Sequence, residues 1–237
     1  MKPLKLRASS IGKIMTEPKS KTEALSVGAK TYLRELAAQE LFGIDFEISG
    51  KALEKGIRCE GDAIEMVGRV RGLELAKNAD RREDDFFTGE CDIFHAPTSE
   101  GRDIKCSWSV ASFPISIVDC EDKLYEFQMR TYMRLWGAPR WHVDYVLLDT
   151  PEDLIGYEPL AMHIVGHIPE HHRVTTWTVE RDIEIEARMV EKVKAARLYY
   201  AEVVAEFDRT HRSPAELRSL LQLQAEARLA EVMKAAA

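Results

Sequence analysis

Two short β-rich runs restrict the fold more than anything else in this chain. FFTGECDIF at 86–94 and DIKCSWS at 103–109 flank HAPTSEG, whose proline, serine and glycine are turn formers, so the stretch reads as a hairpin. Side chains alternate faces along a strand. Cys91 and Ile93 then share one face of the first run and Ile104 and Cys106 one face of the second, which gives an apolar face able to hold a core. Asp92, Asp103 and Lys105 fall on the opposite face with Phe94. Asp103 and Lys105, two residues apart, point the same way, and pairing of the strands brings Asp92 within metal-ligand distance of Asp103.

The surrounding periodicity predicts helices near 9–15, opened by Ser9 or Ser10 as N-cap, then at 22–42 and 51–72. A helix over 119–136, a strand in RWHVDYVLLD, and strands around 160–168 and 173–180 follow the hairpin. A long helix over 181–209 comes next, and a final one over 214–234 is capped by Ser213 with Pro214 in its first turn. This order predicts an α/β fold, a central mixed sheet flanked by helices. With no repeat, low-complexity linker or hinge in view, it predicts one domain over 1–237: an N-terminal helical segment (1–50), a core (51–180) and C-terminal helices (181–237).

The tripeptide D/E-x-K occurs three times, at Glu17 to Lys19, Asp103 to Lys105 and Glu121 to Lys123, so it means little unaided. The first contains a proline among turn residues. The third opens a helix, where positions i and i+2 do not face one another. The second alone of the three sits on a strand with another acid beside it. Two helices add polar residues where apolar ones are expected: Glu60 completes a stripe of Ile57, Ile64 and Val67, and Gln128 lies among Leu124, Phe127, Thr131, Leu135 and Trp136. Taken singly, each fits an internal salt bridge or a satisfied hydrogen bond. Together they form a constellation with a chemical use, because burying a carboxylate is costly unless it is paired or bound to metal. Hard divalent cations prefer such oxygens, so Glu60, Asp92, Asp103 and the Ile104 backbone carbonyl could hold one or two Mg²⁺ ions, with Mn²⁺ as a substitute. A pair of ions suits in-line displacement at a phosphodiester, with Lys105 orienting or deprotonating water or offsetting charge, and Gln128 positioning either.

Five ordered motifs carry a resemblance to the PD-(D/E)xK nuclease superfamily, and within it to the lambda-type phage recombination exonucleases. LRASSIGKIM resembles the family's N-terminal threonine-alanine-serine helix start, KGIRCEGDA its G-x-x-x-E-x-x-A helix, ECDIF its first-aspartate strand, DIKC its E-x-K-C strand, and YEFQMRTYM its Y-x-x-Q helix. The resemblance implies a restriction-endonuclease-like core, metal roles for Glu60, Asp92 and Asp103, a catalytic role for Lys105 and an accessory one for Gln128. It also implies digestion of linear double-stranded DNA from the 5′ end with Mg²⁺, a homotrimeric ring, and a phage single-strand annealing protein as partner. Arg7, Ser9, Lys13 and Tyr132 become candidate DNA contacts, Ser9 being open to either a phosphate contact or a helix cap. Two departures are visible. Asp103 replaces a glutamate, and Glu90 stands where the family carries a serine or threonine associated with the terminal 5′-phosphate, which puts dependence on that phosphate in doubt. Two alternatives stay open: another RecB-like repair nuclease, endonucleolytic or single-strand-specific, and a DNA-binding protein that keeps the fold without turnover.

The net charge of −7 hides an asymmetry. Residues 1–34 hold eight basic and two acidic side chains, a local surplus of +6, against −13 for the rest. That reads either as a nucleic-acid-binding arm or as a solvated basic segment. The start lacks the apolar core of a signal peptide and no run approaches the ~20 residues of a membrane span, which predicts a cytoplasmic protein, in the bacterial host if phage-encoded. Cys59, Cys91, Cys106 and Cys120 lack a C-x-x-C pair and read as reduced thiols. His163, His167, His171 and His172 tempt a zinc reading, but Gly166 and Pro169 break any helix that would align them, so a loop or sheet edge is preferred. Trp108, Trp136, Trp141 and Trp177 read as core. The final helix is amphipathic enough to dock on the body, a second protomer or a partner.

Overall fold

Capping side chains and left-handed glycines set most element boundaries in the computed structural model of the chain, which describes residues 3–46 and 49–235. The N-terminal part comprises β1 (Leu6–Arg7), α1 (Ile11–Ile14), α2 (Val27–Phe42) and α3 (Lys51–Arg71). Then come β2 (Arg81–Glu83), β3 (Phe87–Glu90), β4 (Ile93–His95) and β5 (Glu100–Cys106), followed by α4 (Ile117–Cys120), α5 (Lys123–Trp136) and β6 (Arg140–Val146). The chain ends through α6 (Glu152–Ile155), β7 (Val174–Glu180), α7 (Ile183–Thr210) and α8 (Pro214–Ala235). Lys2, part of the basic N-terminal count, lies outside the described residues.

Several expected boundaries move, each for a local reason. The helix expected from 22 begins at Val27, because the Ser26 hydroxyl accepts the Ala29 N–H at 3.0 Å and fixes the start there. The helix expected over 119–136 is cut in two: Asp122 accepts the N–H groups of Leu124 and Tyr125 and starts α5 afresh after α4. Neither Ser9 nor Ser10 caps a helix with its side chain; residues 8–10 form a 3₁₀ turn that runs into α1. The strand expected at 160–168 is absent and a 3₁₀ turn, Leu160–Met162, stands in its place, since Pro159, Gly166 and Pro169 punctuate the segment.

The mixed α/β class stands, but the strands divide between two sheets. One has the order β1-β3-β2, with β1 parallel and β2 antiparallel to β3. The other has the order β4-β5-β6-β7, with β5 and β6 parallel between antiparallel edges. FFTGECDIF is therefore not one strand: it leaves the first sheet after Glu90 and enters the second at Ile93. The break separates Cys91 from Ile93, which were expected on one face. Cys91 packs with Met129, Tyr132 and Met133 of α5, whereas Ile93 joins Ile104, Ile64 and Val67 on the side of α3. The second sheet is thus held between α3 and α5. Trp141, fully buried, lies so close over Gly101 that a Cβ there would stand 2.1 Å from the indole.

Exposed Leu217, Leu221 and Leu223 of α8 do not dock on the body, contrary to one expectation for this helix. Among the described residues no helix is long and apolar enough to cross a membrane. The basic surplus is offset from outside the segment at Lys5, which pairs with Glu83 of β2.

Candidate active site

A cleft of about 600 Å³ opens between α3, β5 and α5, and Glu60, Asp92, Asp103, Lys105 and Gln128 all line it. The polar residues singled out in three separate segments of sequence are thus brought to one place. Each arrives by a different device. Asp103 and Lys105 project from the same face of β5, and Lys105 Nζ lies 2.6 Å from Asp103 Oδ2 and 4.5 Å from the centre of the Tyr125 ring. Asp92 sits in the break between β3 and β4, and its carboxylate accepts the Ile104 N–H at 2.7 Å. Gln128, buried on α5, donates to Asp103 Oδ1 at 3.3 Å and to the Tyr132 hydroxyl at 3.1 Å, and that hydroxyl in turn donates to the Glu90 carbonyl at 3.0 Å.

Glu60 reaches the cleft differently from expectation. The buried face of α3 runs through Cys59, Ala63, Met66 and Val67, and Ile57 is exposed, so Glu60 borders the core instead of interrupting it. Lys77 pairs with it. Tyr132 also departs from its candidate role as a DNA contact. It is 4% exposed, with its ring against Trp136 and Trp141, and burial raises its pKa; the hydroxyl anchors Gln128 from within the core. Arg7 and Ser9 are exposed and line a small pocket with Arg81, Thr88 and Glu90, where Arg81 and Glu90 form an ion pair of 3.0 Å. Lys13 is exposed above the ring of Tyr32.

Charge in the cleft is tightly balanced. Burial, reinforced by Asp103, raises the Asp92 carboxyl to about 7 despite the Ile104 hydrogen bond. Burial works against the Lys105 ammonium, but the charge and hydrogen bond of Asp103 together with the charge of Asp92 outweigh it and hold the lysine above its ordinary value. Asp103 Oδ2 is buried and, among the described residues, has no partner besides the Lys105 ammonium 2.6 Å away. A buried carboxylate oxygen met by one ammonium only, next to a second carboxylate that burial disfavours as an anion, fits a further cation. Among the described residues no three His, Cys, Asp or Glu side chains already converge as a metal cage. Glu60 is drawn to Lys77 and Asp103 to Lys105. Mg²⁺ is usually held by one or two carboxylates with waters and substrate phosphate, a demand that Asp92 and Asp103 can meet.

Sequence reasoning missed three supporting residues. Asn78 clamps the break that carries Asp92: its N–H donates to the Asp92 carbonyl at 2.7 Å and its side-chain amide to the Cys91 carbonyl at 3.1 Å. Its signal would have been an asparagine in a polar connection, which is weak. Lys77 shares that connection. Lys55, on α3 and fully buried, donates to the carbonyls of Ser107, Leu148 and Trp108 and to the Thr150 hydroxyl at 2.7–3.1 Å. Of the four histidines, His163 is fully buried against Thr150 and Glu158, while His167, His171 and His172 are exposed. Trp136 and Trp141 are core as expected, and Trp177 packs against them. Trp108 instead lines the cleft. All four cysteines are free thiols, and burial pushes Cys91 and Cys106 up to about 12.

A mixed sheet between two helices, with acids and a lysine gathered where β5 faces α5, defines a nuclease of the PD-(D/E)xK class. Known structures make the assignment narrower. The phage-related exonuclease from Haemophilus somnus 129PT is 39% identical with a TM-score of 0.82, covering 86% of this chain and 96% of its own. The chain belongs to the lambda-type phage exonuclease family. The alkaline exonuclease LHK-Exo from Laribacter hongkongensis shares the fold at 22% identity and a TM-score of 0.64, covering 91% of this chain and 96% of its own. Its complex with dAMP gives 22% and 0.62, covering 90% and 94%. No protein-family model and no curated protein matches this sequence.

Proposed function

We propose that this deoxyribonuclease digests linear double-stranded DNA from the 5′ end with Mg²⁺, leaving 3′ single strands for recombination by strand annealing. The observation that carries this reading is the convergence of Glu60, Asp92, Asp103, Lys105 and Gln128 in one cleft. Glu60, Asp92, Asp103 and the Ile104 carbonyl are the groups that would hold one or two ions. When bound, Mg²⁺ supplies electrostatic stabilisation of the phosphodiester as its charge develops. The chain's own groups supply the rest. Lys105 offsets charge on a non-bridging oxygen and orients the attacking water. Gln128, fixed by Tyr132, keeps Asp103 in register with the cleft, and Asn78 does the same for Asp92.

Arg7, Ser9 and Lys13 are the proposed DNA contacts outside the cleft. Because Arg81 beside Ser9 is already paired to the Glu90 carboxylate, we propose that cleavage does not depend on a terminal 5′-phosphate. A homotrimeric ring through which duplex threads, an annealing protein as partner, and a location in bacterial cytoplasm complete the proposal.

The decisive experiment incubates purified protein with linear duplex, closed circular duplex and single strands, with Mg²⁺, Mn²⁺ or EDTA. Metal-dependent loss of linear duplex alone, at equal rates for 5′-phosphate and 5′-hydroxyl ends, is expected. Nicking of closed circles would sink the exonuclease reading, and a monomer by mass photometry would sink the ring.

A further inference from the structure

Trp108 differs from the two core tryptophans. Trp136 and Trp141 are at most 7% exposed and their indole N–H groups lack hydrogen-bond partners, as befits rings held by packing alone. Trp108 is half-buried in the wall of the catalytic cleft, and its N–H donates to both Glu158 oxygens at 3.2 Å. Glu158 is in turn held by His163 Nε2 at 3.1 Å, and His163 Nδ1 by Thr150 Oγ1 at 3.1 Å. Thr150 Oγ1 also lies 3.0 Å from the Trp108 carbonyl, and buried Lys55 donates to both Thr150 and that carbonyl. The chain of contacts therefore closes on residue 108, fixing its backbone at one end and its indole at the other. The His163 ring also meets the indole in a T-shaped contact at 5.1 Å.

A buried lysine, threonine and histidine are a costly way to orient one side chain unless its orientation matters. Packing alone would not need a hydrogen bond at the indole edge. An aromatic ring immobilised beforehand in a nuclease cleft loses little freedom when a base stacks on it, and stacking tolerates any sequence because every base has a π face.

We propose that Trp108 is a substrate-binding residue that stacks on a nucleobase flanking the scissile phosphodiester, its ring oriented by the chain Lys55, Thr150, His163 and Glu158. This rests on the nuclease reading above and adds to it a base contact inside the cleft. The test is a cycle of two perturbations: Trp108→Ala and Trp108→Phe against wild type, each on ordinary linear duplex and on duplex whose first two nucleotides at each end are abasic tetrahydrofuran residues. Trp108→Ala should lose about tenfold in kcat/KM on ordinary duplex, the scale of one lost stack. Wild type should lose a similar factor on abasic ends, Trp108→Ala should lose little more there, and Trp108→Phe, which keeps a stacking face but loses the N–H bond to Glu158, should fall between Trp108→Ala and wild type on ordinary duplex. Equal losses by Trp108→Ala on the two substrates, or no loss on either, would overturn the base contact while leaving the nuclease intact. A wild-type protein that cleaves neither duplex would bring down the nuclease reading and this one with it.

Discussion

Lys55→Met probes the polar frame behind the cleft with a magnitude that follows from its partners. The methionine keeps most of the apolar stem and deletes a buried ammonium bound to four oxygens. Two of the four keep another partner: the Trp108 carbonyl retains Thr150 Oγ1, and Thr150 retains His163. The Ser107 and Leu148 carbonyls lose their donor. Each buried acceptor left unsatisfied costs about 1–3 kcal/mol, which gives roughly 2–6 kcal/mol. Removing the ammonium refunds part of its desolvation, the effect that lowers the Lys55 pKa in the fold, and brings the expected net loss to about 2–4 kcal/mol. Against a total stability of about 5–15 kcal/mol, that is a large shift. Urea unfolding should show a lower midpoint with unchanged slope. A variant within about 0.5 kcal/mol of wild type, or a more stable one, would show that the four contacts contribute nothing net and refute the reasoning.

Lys105→Ala should reduce Mg²⁺-dependent cleavage at least about 100-fold while leaving duplex binding in a gel shift intact; near-normal turnover would remove it from the site. Gly101→Ala drives a Cβ to 2.1 Å from the Trp141 ring, so it should destabilise by about 1–3 kcal/mol or more in thermal melts, and a neutral result would contradict the packing of that strand. Asp84 joins the turn before β3 to α5. Burial opposes its charge, but the N–H groups of Phe86 and Phe87 and the Arg134 guanidinium at 2.6 Å win, leaving its pKa below the usual 3.8. A carboxylate with a depressed folded-state pKa contributes stability above its unfolded value and loses it as pH falls through the folded one. The stability gap between wild type and Asp84→Asn should therefore be constant above about pH 5 and shrink below about pH 4; a gap that widens in acid would reverse the assignment.

The residues of the cleft were legible before the fold because their chemistry contradicts their surroundings. Asp103 and Lys105 on one strand face, and Gln128 inside an apolar helix stripe, are local facts that period-two and period-3.6 patterns expose. The helices ended where Gly72 and Gly137 adopt left-handed backbone, and these too are local signals. Other features were not local. The break at Cys91 and Asp92 is not fixed by the local residues alone, because the two halves are separated by which sheet each joins and by the clamp from Asn78. The 160–168 segment looked like a strand, yet it closes over Thr150 through His163.

The sequence by itself determined the mixed α/β class, the set of polar residues that meets in the cleft and the family resemblance, since each depends on residue types at short, regular spacing. Tertiary structure alone decided that Glu60 borders the core and pairs with Lys77, that Tyr132 serves Gln128 from inside, and that Lys55 and His163 are buried. The physical reason is the same in each case. A charged or polar side chain can be buried when distant segments supply its hydrogen-bond partners, and those partners lie 52–95 positions away in the chain for Lys55, with Thr150 13 positions from His163.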